Sequence, residues 1–200
     1  VDWPIRYADM KKWYDHVEIF AGISGSKEGI PHLPDGEFLP PMELNCVEKE
    51  IQKRMAEKYD DRQLIIGRCA HLSEPQKIHT DLGRGTCQAR DQCQRGCSFG
   101  AYFSSQSATL PAARLTGNMT VATDSIVHSI VYDPKTNKAT GVRVIDSKTK
   151  ETKTYTARVI FMCASTLGTT QVMLNSTSET FQNGFGNSSG ALGHYLMDHL

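Results

Sequence analysis

Three closely spaced cysteines are the residues of this sequence whose type and position best suggest chemistry. Cys87, Cys93 and Cys97 follow a C-x5-C-x3-C pattern in a stretch rich in Gly, Arg and Gln. Thiolates that loop backbone holds this close together can converge on one centre, and soft sulfur ligands select iron–sulfur clusters or zinc. The pattern therefore indicates a candidate metal or redox site.

The pattern also allows simpler interpretations. Free cysteines often pack as small hydrophobic residues, and two of the three could form a disulfide in an oxidising compartment. Zinc could use the three thiolates together with a histidine such as His79, although C-x5-C is longer than the usual zinc spacing. Whether or not the cysteines bind a metal, nearby positive charge would stabilise their thiolate form. The flanking cations are Arg84, Arg90 and Arg95.

Regular elements are expected on both sides of the cysteines. Apolar residues at helical spacing predict helices over Tyr7–Ala21 and Met42–Tyr59, and an Ala- and Ser-rich run predicts another over Ser104–Thr116. Arg62–Cys69 is typical of a short strand. The residues of Ala70–Gly100 show neither helical nor strand periodicity. Because so long an irregular stretch is unusual in a compact domain, it suggests that a bound group orders this segment.

The last third of the chain predicts a sheet followed by a helix. Met119–Val131, Ala139–Asp146 and Thr152–Met162 are strand-like segments separated by turn residues. Within the last of them, Arg158–Met162 is nearly all apolar, as in a central parallel strand buried on both faces. Small residues and a helix-compatible run, Leu167–Leu174, come next. This order predicts an α/β fold, with α and β elements mixed.

Composition excludes two classes of partner. The 200 residues contain 22 Lys plus Arg and 22 Asp plus Glu, so the formal charge is zero and no positive field favours nucleic acid. No run approaches the roughly 20 apolar residues of a transmembrane helix. We therefore expect neither nucleic-acid binding nor a membrane span.

Five segments, in this order along the chain, resemble the interior of a glucose-methanol-choline (GMC) oxidoreductase, closest to the bacterial sugar, polyol and sugar-acid dehydrogenases. They are Trp3–Tyr7, Gly96–Ala101, Thr116–Val121, Ala164–Gln171 and Leu192–His199. The resemblance implies part of an FAD-binding, Rossmann-like domain with an antiparallel β-meander. It also implies oxidation of an alcohol group of a sugar, polyol or sugar acid by hydride transfer to FAD.

Two of the family's defining parts are not found in this sequence. The G-x-G-x-x-G phosphate-binding fingerprint does not occur, and the resemblance places the catalytic histidine beyond residue 200. We therefore expect an internal fragment that is inactive alone. The alternatives are a non-enzymatic module in which the three cysteines hold a structural zinc, or a truncated module without a bound cofactor. Residues 1–118 would form a helical and loop region on the electron-transfer side of the flavin, and residues 119–200 would be part of the FAD-binding domain.

The resemblance also implies roles for individual residues. Val127 matches a strand position whose backbone contacts the adenine of FAD. Cys163, Ala164 and Ser165 form a small-residue turn expected near the adenosine, with Ser165 where glycine is common.

A further implication concerns electron transfer. Some bacterial members carry a three-iron four-sulfur cluster on similarly spaced cysteines, so Cys87, Cys93 and Cys97 are the ligand candidates. Such a cluster lies between the flavin and an external electron acceptor. The resemblance thus implies a dehydrogenase with an electron-acceptor protein as partner.

Overall fold

The computed structural model describes residues 2–198, which excludes the last residue of the Leu192–His199 segment. The chain divides into two compact units, Val1–Met119 and Thr120–Leu200. None of the helices in the described part combines the length and apolar character needed to cross a bilayer. Helices and an antiparallel sheet together confirm the mixed α and β fold.

Helices and loops make up the first unit. Its α-helices are α1 (Tyr7–Ala21), α2 (Cys46–Lys58), α3 (Lys77–Thr80) and α4 (Leu110–Leu115), with a 3-10 turn at Cys93–Arg95 and a π-helical turn at Ser105–Thr109. Three residues form the centre of its core: Leu39, Leu72 and Ala101.

Helix α1 has the predicted bounds because a glycine ends it. Gly22 adopts a left-handed conformation with φ 76° and donates its backbone N–H to the Glu18 carbonyl. A Cβ atom at this position would lie 2.1 Å from the Leu72 side chain. The helix end and the core thus both require glycine here.

Two of the predicted helices have different limits. Helix α2 begins only at Cys46, because the Asn45 side chain accepts the Val47 and Glu48 N–H groups and fixes the helix start. The predicted Ser104–Thr116 helix begins as a π-helical turn before it becomes α4.

The predicted strand over Arg62–Cys69 is wrong. Only Cys69 makes an isolated bridge, which pairs its backbone with Ser24. The Leu64 carbonyl instead accepts a hydrogen bond from the Gln52 side chain of α2. A short apolar run without a long partner strand therefore remains irregular.

The second unit contains a three-stranded antiparallel meander. Strands β1 (Ser125–Asp133), β2 (Lys138–Asp146) and β3 (Thr152–Thr156) pair in chain order, so β1 and β3 are the edges. A bulge at His128 shifts the β1–β2 register. The meander was predicted, but β1 begins six residues later than expected and β3 ends at Thr156.

The predicted buried parallel strand over Arg158–Met162 is also wrong. The structure assigns no strand to these residues, and the side chains of Val159 and Phe161 are 66% and 83% exposed. The ladder between β2 and β3 ends at the Gly141–Thr156 pair. No parallel strand in the described part of the chain offers this segment a partner.

Helix α5 (Ser165–Asn175) follows this segment and packs on β1. At its end, the Ser176 hydroxyl accepts the Ile130 N–H at 2.8 Å and donates to the Val172 carbonyl at 2.6 Å. Because Ser176 is only 5% exposed, the bond to Ile130 joins helix α5 to strand β1 in a buried place.

Candidate functional site

The irregular stretch brings the three predicted cysteines to one small cavity. Cys87, Cys93 and Cys97 all line this space of about 30 Å³. Cys87 and Cys97 also pack against the core of the first unit. The loop thus gathers the thiols, and two of them serve packing at the same time.

The three sulfur atoms do not form a ready-made metal site. Within residues 2–198, no three Cys, His, Asp or Glu side chains are grouped closely enough to hold one metal ion. All six cysteines are free thiols. The three thiols have the donor chemistry of a cluster site, but they are not grouped within reach of one metal ion in the described part of the chain.

The thiol of Cys97 has a pKa below its ordinary value, because of hydrogen bonding to backbone N–H groups. The Tyr102 N–H has the largest effect and lowers the pKa of the Cys97 thiol, while burial opposes it. The N–H groups of Phe99, Gly100 and Ala101 lower this pKa further. A sulfur held in this way favours negative charge, as a thiolate or a metal-bound thiolate requires.

His71 is a neighbour of the cysteines that the sequence pattern did not indicate. Its Nε2 atom lies 3.5 Å from the Cys93 sulfur. An isolated antiparallel bridge between His71 and Tyr102 sets this position. Because His71 and Tyr102 are about thirty residues apart in sequence, the local spacing of residues could not predict that His71 lies beside Cys93.

His79 is not available as a zinc ligand, in contrast to the suggestion from sequence. Its side chain is fully buried; Nδ1 accepts the Gln76 N–H at 3.0 Å, and Nε2 donates to the Ile19 carbonyl at 2.8 Å. Both ring nitrogens are therefore occupied by structural hydrogen bonds.

Arg84 is the buried cation of the cysteine region, with 2% of its surface exposed. Its guanidinium donates to the carbonyls of Phe20 and Ala21 at the end of α1, at 3.4 and 2.9 Å. It also donates to the carbonyls of Gly100 and Ala101 at 2.9 and 3.3 Å. Arg84 thereby ties α1 to the segment that follows Cys97.

A second, larger cavity adjoins the same residues. It measures about 620 Å³, and Arg84, Cys93 and Cys97 line it with Ser and Gln side chains. The described residues that form its wall include no carboxylate. The wall also includes Leu82, Tyr102 and Pro111, so it is partly polar and partly apolar, with Arg84 as the charged side chain among its described residues.

The predicted adenosine-side residues lie in the second unit. Cys163 is exposed, Ala164 precedes α5, and Ser165 begins the helix with φ 62° in the left-handed region. No side chain caps the first N–H groups of α5. The turn is small and open, and its backbone adopts the positive φ that glycine favours.

Val127 lies on β1, an edge strand, next to the bulge. Its side chain is 37% exposed, and its backbone pairs with Val144 on β2. An edge strand keeps part of its backbone free of the ladder. This place is compatible with the predicted backbone contact to adenine.

Comparison with known proteins decides the family. The family model described as GMC oxidoreductase matches residues 4–200. The chain belongs to the GMC oxidoreductase family. The matched part is the family's N-terminal domain, the FAD-binding region, so the match implies FAD as cofactor.

Two bacterial proteins are among those to which this GMC oxidoreductase chain is similar. It is 27% identical over 209 residues to the 2-methyl-1,2-propanediol dehydrogenase of Mycolicibacterium austroafricanum, covering 100% of this chain and 35% of the relative. It is 22% identical over 204 residues to the fructose dehydrogenase large subunit of Gluconobacter japonicus, covering 99% and 35%. The chain thus spans about a third of the length of either relative.

Proposed function

We propose that this chain is part of a dehydrogenase that oxidises an alcohol group of a sugar, polyol or sugar acid by hydride transfer to FAD. The family match over residues 4–200 carries the proposal. The two relatives are named as dehydrogenases of 2-methyl-1,2-propanediol and of fructose, which supports small hydroxylated substrates. The activity belongs to the whole protein, because the chain corresponds to about a third of either relative.

Residues 119–200 are proposed as the part that binds FAD, and residues 1–118 as the electron-transfer side. The backbone of Val127 would contact the adenine, and the turn of Cys163, Ala164 and Ser165 would contact the adenosine. The open turn and the uncapped start of α5 support this assignment. Bound FAD would supply the acceptor for the hydride that leaves the alcohol carbon.

The cysteines are proposed to hold a three-iron four-sulfur cluster. Cys87, Cys93 and Cys97 would be its ligands, and the cluster would pass electrons one at a time to an external acceptor protein. The shared cavity and the lowered pKa of the Cys97 thiol support this role. Assembly would have to draw the sulfur atoms together, which irregular backbone permits.

These 200 residues are proposed to be inactive alone. They contain no G-x-G-x-x-G fingerprint, so they lack the loop with which the family grips the FAD pyrophosphate. The catalytic histidine of the family is expected outside the 200 residues. The function is therefore tested on the full-length protein, with the 200-residue chain as comparison.

The test begins with anaerobic purification of the full-length protein. Its visible spectrum, FAD content and metal content are then measured. Activity is assayed as the reduction of an artificial electron acceptor in the presence of a panel of sugars, polyols and sugar acids. We expect one FAD and about three iron atoms per chain. In Cys97→Ser, iron should be lost while FAD is retained. Cys46→Ser, which changes an exposed thiol outside both the cluster and the proposed FAD contacts, should keep the iron and the FAD.

Each result has a separate meaning. A full-length protein without FAD or alcohol oxidation would refute the dehydrogenase proposal. FAD without iron, or one zinc in place of iron, would refute the cluster alone. Turnover by the 200-residue chain would contradict its proposed inactivity.

A further inference from the structure

Helix α1 presents an apolar stripe to the outside of its unit. The stripe consists of Tyr7, Trp13, Tyr14 and Val17, which fall on one side of the helix because successive helical residues are about 100° apart. Each of these side chains is between 43% and 57% exposed. The rings of Tyr7 and Tyr14 stack with their centres 6.1 Å apart, so the exposed surface continues along the helix.

The polar side of α1 faces the rest of its unit instead. The Glu18 carboxylate accepts the Glu37 N–H at 2.9 Å and occupies the space that a Cβ atom on Gly36 would need. Asp15 is half-buried as well, and apolar burial is confined to the end of the helix, at Ala21. A helix at the surface of a complete domain normally turns its apolar stripe toward the core. Within the described residues, the middle of α1 therefore lacks the apolar layer that its stripe would pack against.

The accessible surface of the chain is larger than that of two complete domains of the same total mass. It measures 15284 Å² for 22.2 kDa. Two separate folded units that share this mass would together expose about 11,000 Å². The chain thus exposes about 4,000 Å² more than compact units of its size, and such surface is normally covered by other protein.

The size of this excess argues against a second copy of the chain as the cover. A standard interface covers about 800 Å² of each partner, and a large obligate dimer covers about 2,500 Å² of each. Both areas are well below the excess. The chain matches 35% of the length of either relative, so about twice as much polypeptide lies outside the matched part of each. Polypeptide of that length is sufficient to cover the surface.

We propose that the α1 stripe is an internal interface of the full-length protein, covered by an apolar surface from the polypeptide outside these 200 residues. The inference rests on the proposed function in one respect, that the chain is part of a longer protein. Three of the four stripe residues are aromatic, and aromatic side chains bury large areas and are enriched at interfaces. The cover gives α1 the second apolar layer that its own unit does not supply.

The first test measures the accessibility of α1 in the full-length protein. Val17→Cys places a thiol in the middle of the stripe, and His16→Cys places a matched thiol at the adjacent exposed position outside it. Alkylation by N-ethylmaleimide is followed by mass spectrometry of the peptide that contains α1, with the urea-unfolded protein as reference. In Val17→Cys, the native protein should react about a hundred-fold more slowly than the unfolded protein, because a covered residue reacts only after local opening. In His16→Cys, the two rates should agree within about five-fold.

The second test identifies what covers the stripe. The full-length protein is made with p-benzoylphenylalanine in place of Tyr14, which keeps an aromatic ring in the stripe, and irradiation crosslinks this ring to its neighbour. We expect a product of monomer mass in which α1 is joined to a peptide outside residues 1–200. A product of twice that mass would assign the stripe to a second copy, and a crosslink confined to residues 1–200 would assign it to the chain itself. Either result overturns the proposal.

A measurement on the unsubstituted full-length protein covers the case in which the variants fail to fold. Hydroxyl-radical oxidation of Trp13 should be about ten-fold slower in the native protein than in the unfolded protein. Equal oxidation in both overturns the proposal.

The outcomes separate this inference from the proposed function. Alkylation of Val17→Cys as fast as that of His16→Cys, in a protein that binds FAD and oxidises alcohols, overturns the inference alone. A covered α1 stripe in a protein without FAD or alcohol oxidation supports the inference and refutes the dehydrogenase proposal.

Discussion

Ser165 occupies a backbone position that suits glycine. Its φ of 62° lies in the left-handed region, which costs a residue with a Cβ about 1 to 2 kcal/mol. Ser165→Gly should therefore raise the free energy of unfolding by about 1 kcal/mol, after allowance for the greater flexibility of glycine in the unfolded chain. Denaturant unfolding of the 200-residue chain measures this change.

Ser165→Ala is the matched control, since it keeps the Cβ atom and removes the hydroxyl. It should give no gain in stability. Equal stabilisation by Ala and Gly would show that the hydroxyl, and not the backbone conformation, is unfavourable at this turn.

At the scale of elements, His79 joins two helices of the first unit. Burial lowers its pKa below the ordinary 6.5, the bond to the Ile19 carbonyl opposes this shift, and Arg84 adds to it. Below about pH 6.5 the unfolded chain binds a proton that the folded chain refuses, so folding stability is full above this pH and falls below it. The slope contributed by one proton is at most about 1.4 kcal/mol per pH unit.

Unfolding of the wild type and of His79→Gln between pH 7.5 and 5 tests this prediction. The variant should be less stable at pH 7.5 and should lose less stability on acidification. His16→Gln, an exposed position on α1, should retain the wild-type profile. Parallel profiles for the wild type and His79→Gln would contradict the assignment.

Ser176 is the corresponding link in the second unit. Ser176→Ala would leave the Ile130 N–H without its acceptor in a buried place, which costs about 1 to 3 kcal/mol. We expect destabilisation of this size by denaturant unfolding. Ser147→Ala, at a partly exposed turn where the hydroxyl makes a long 3.4 Å bond to Asp124, should change stability by less than about 0.5 kcal/mol. A loss no larger in Ser176→Ala than in Ser147→Ala would show that the bond does not hold α5 to β1.

For the whole molecule, the elements that could be predicted from sequence are those that interactions between nearby residues determine. Helix α1 depends on its own periodicity and on Gly22, and the meander depends on turn residues between its strands, so both were predictable. Arg158–Met162 was not, because its burial depends on neighbours and not on its apolar composition.

The candidate site shows the same division. Spacing indicated Cys87, Cys93 and Cys97, which do share a cavity. The approach of His71 to Cys93 and the burial of His79 arise from contacts across many residues of sequence. A pattern of residue types can therefore suggest thiol ligands, whereas their neighbours follow only from the tertiary structure.

The charge balance of the whole chain leads to a last prediction. Its formal charge is zero at pH 7 and its pI is about 7.2, so self-repulsion is smallest near neutral pH. Large apolar side chains such as Trp13, Phe161 and Tyr195 are exposed at the same time. The 200-residue chain should therefore associate most strongly near pH 7.2 and less at pH 9, as light scattering would record. Added salt at pH 9 should restore association, because salt screens the net charge. Light scattering that changes with neither pH nor salt would show that net charge does not control the association.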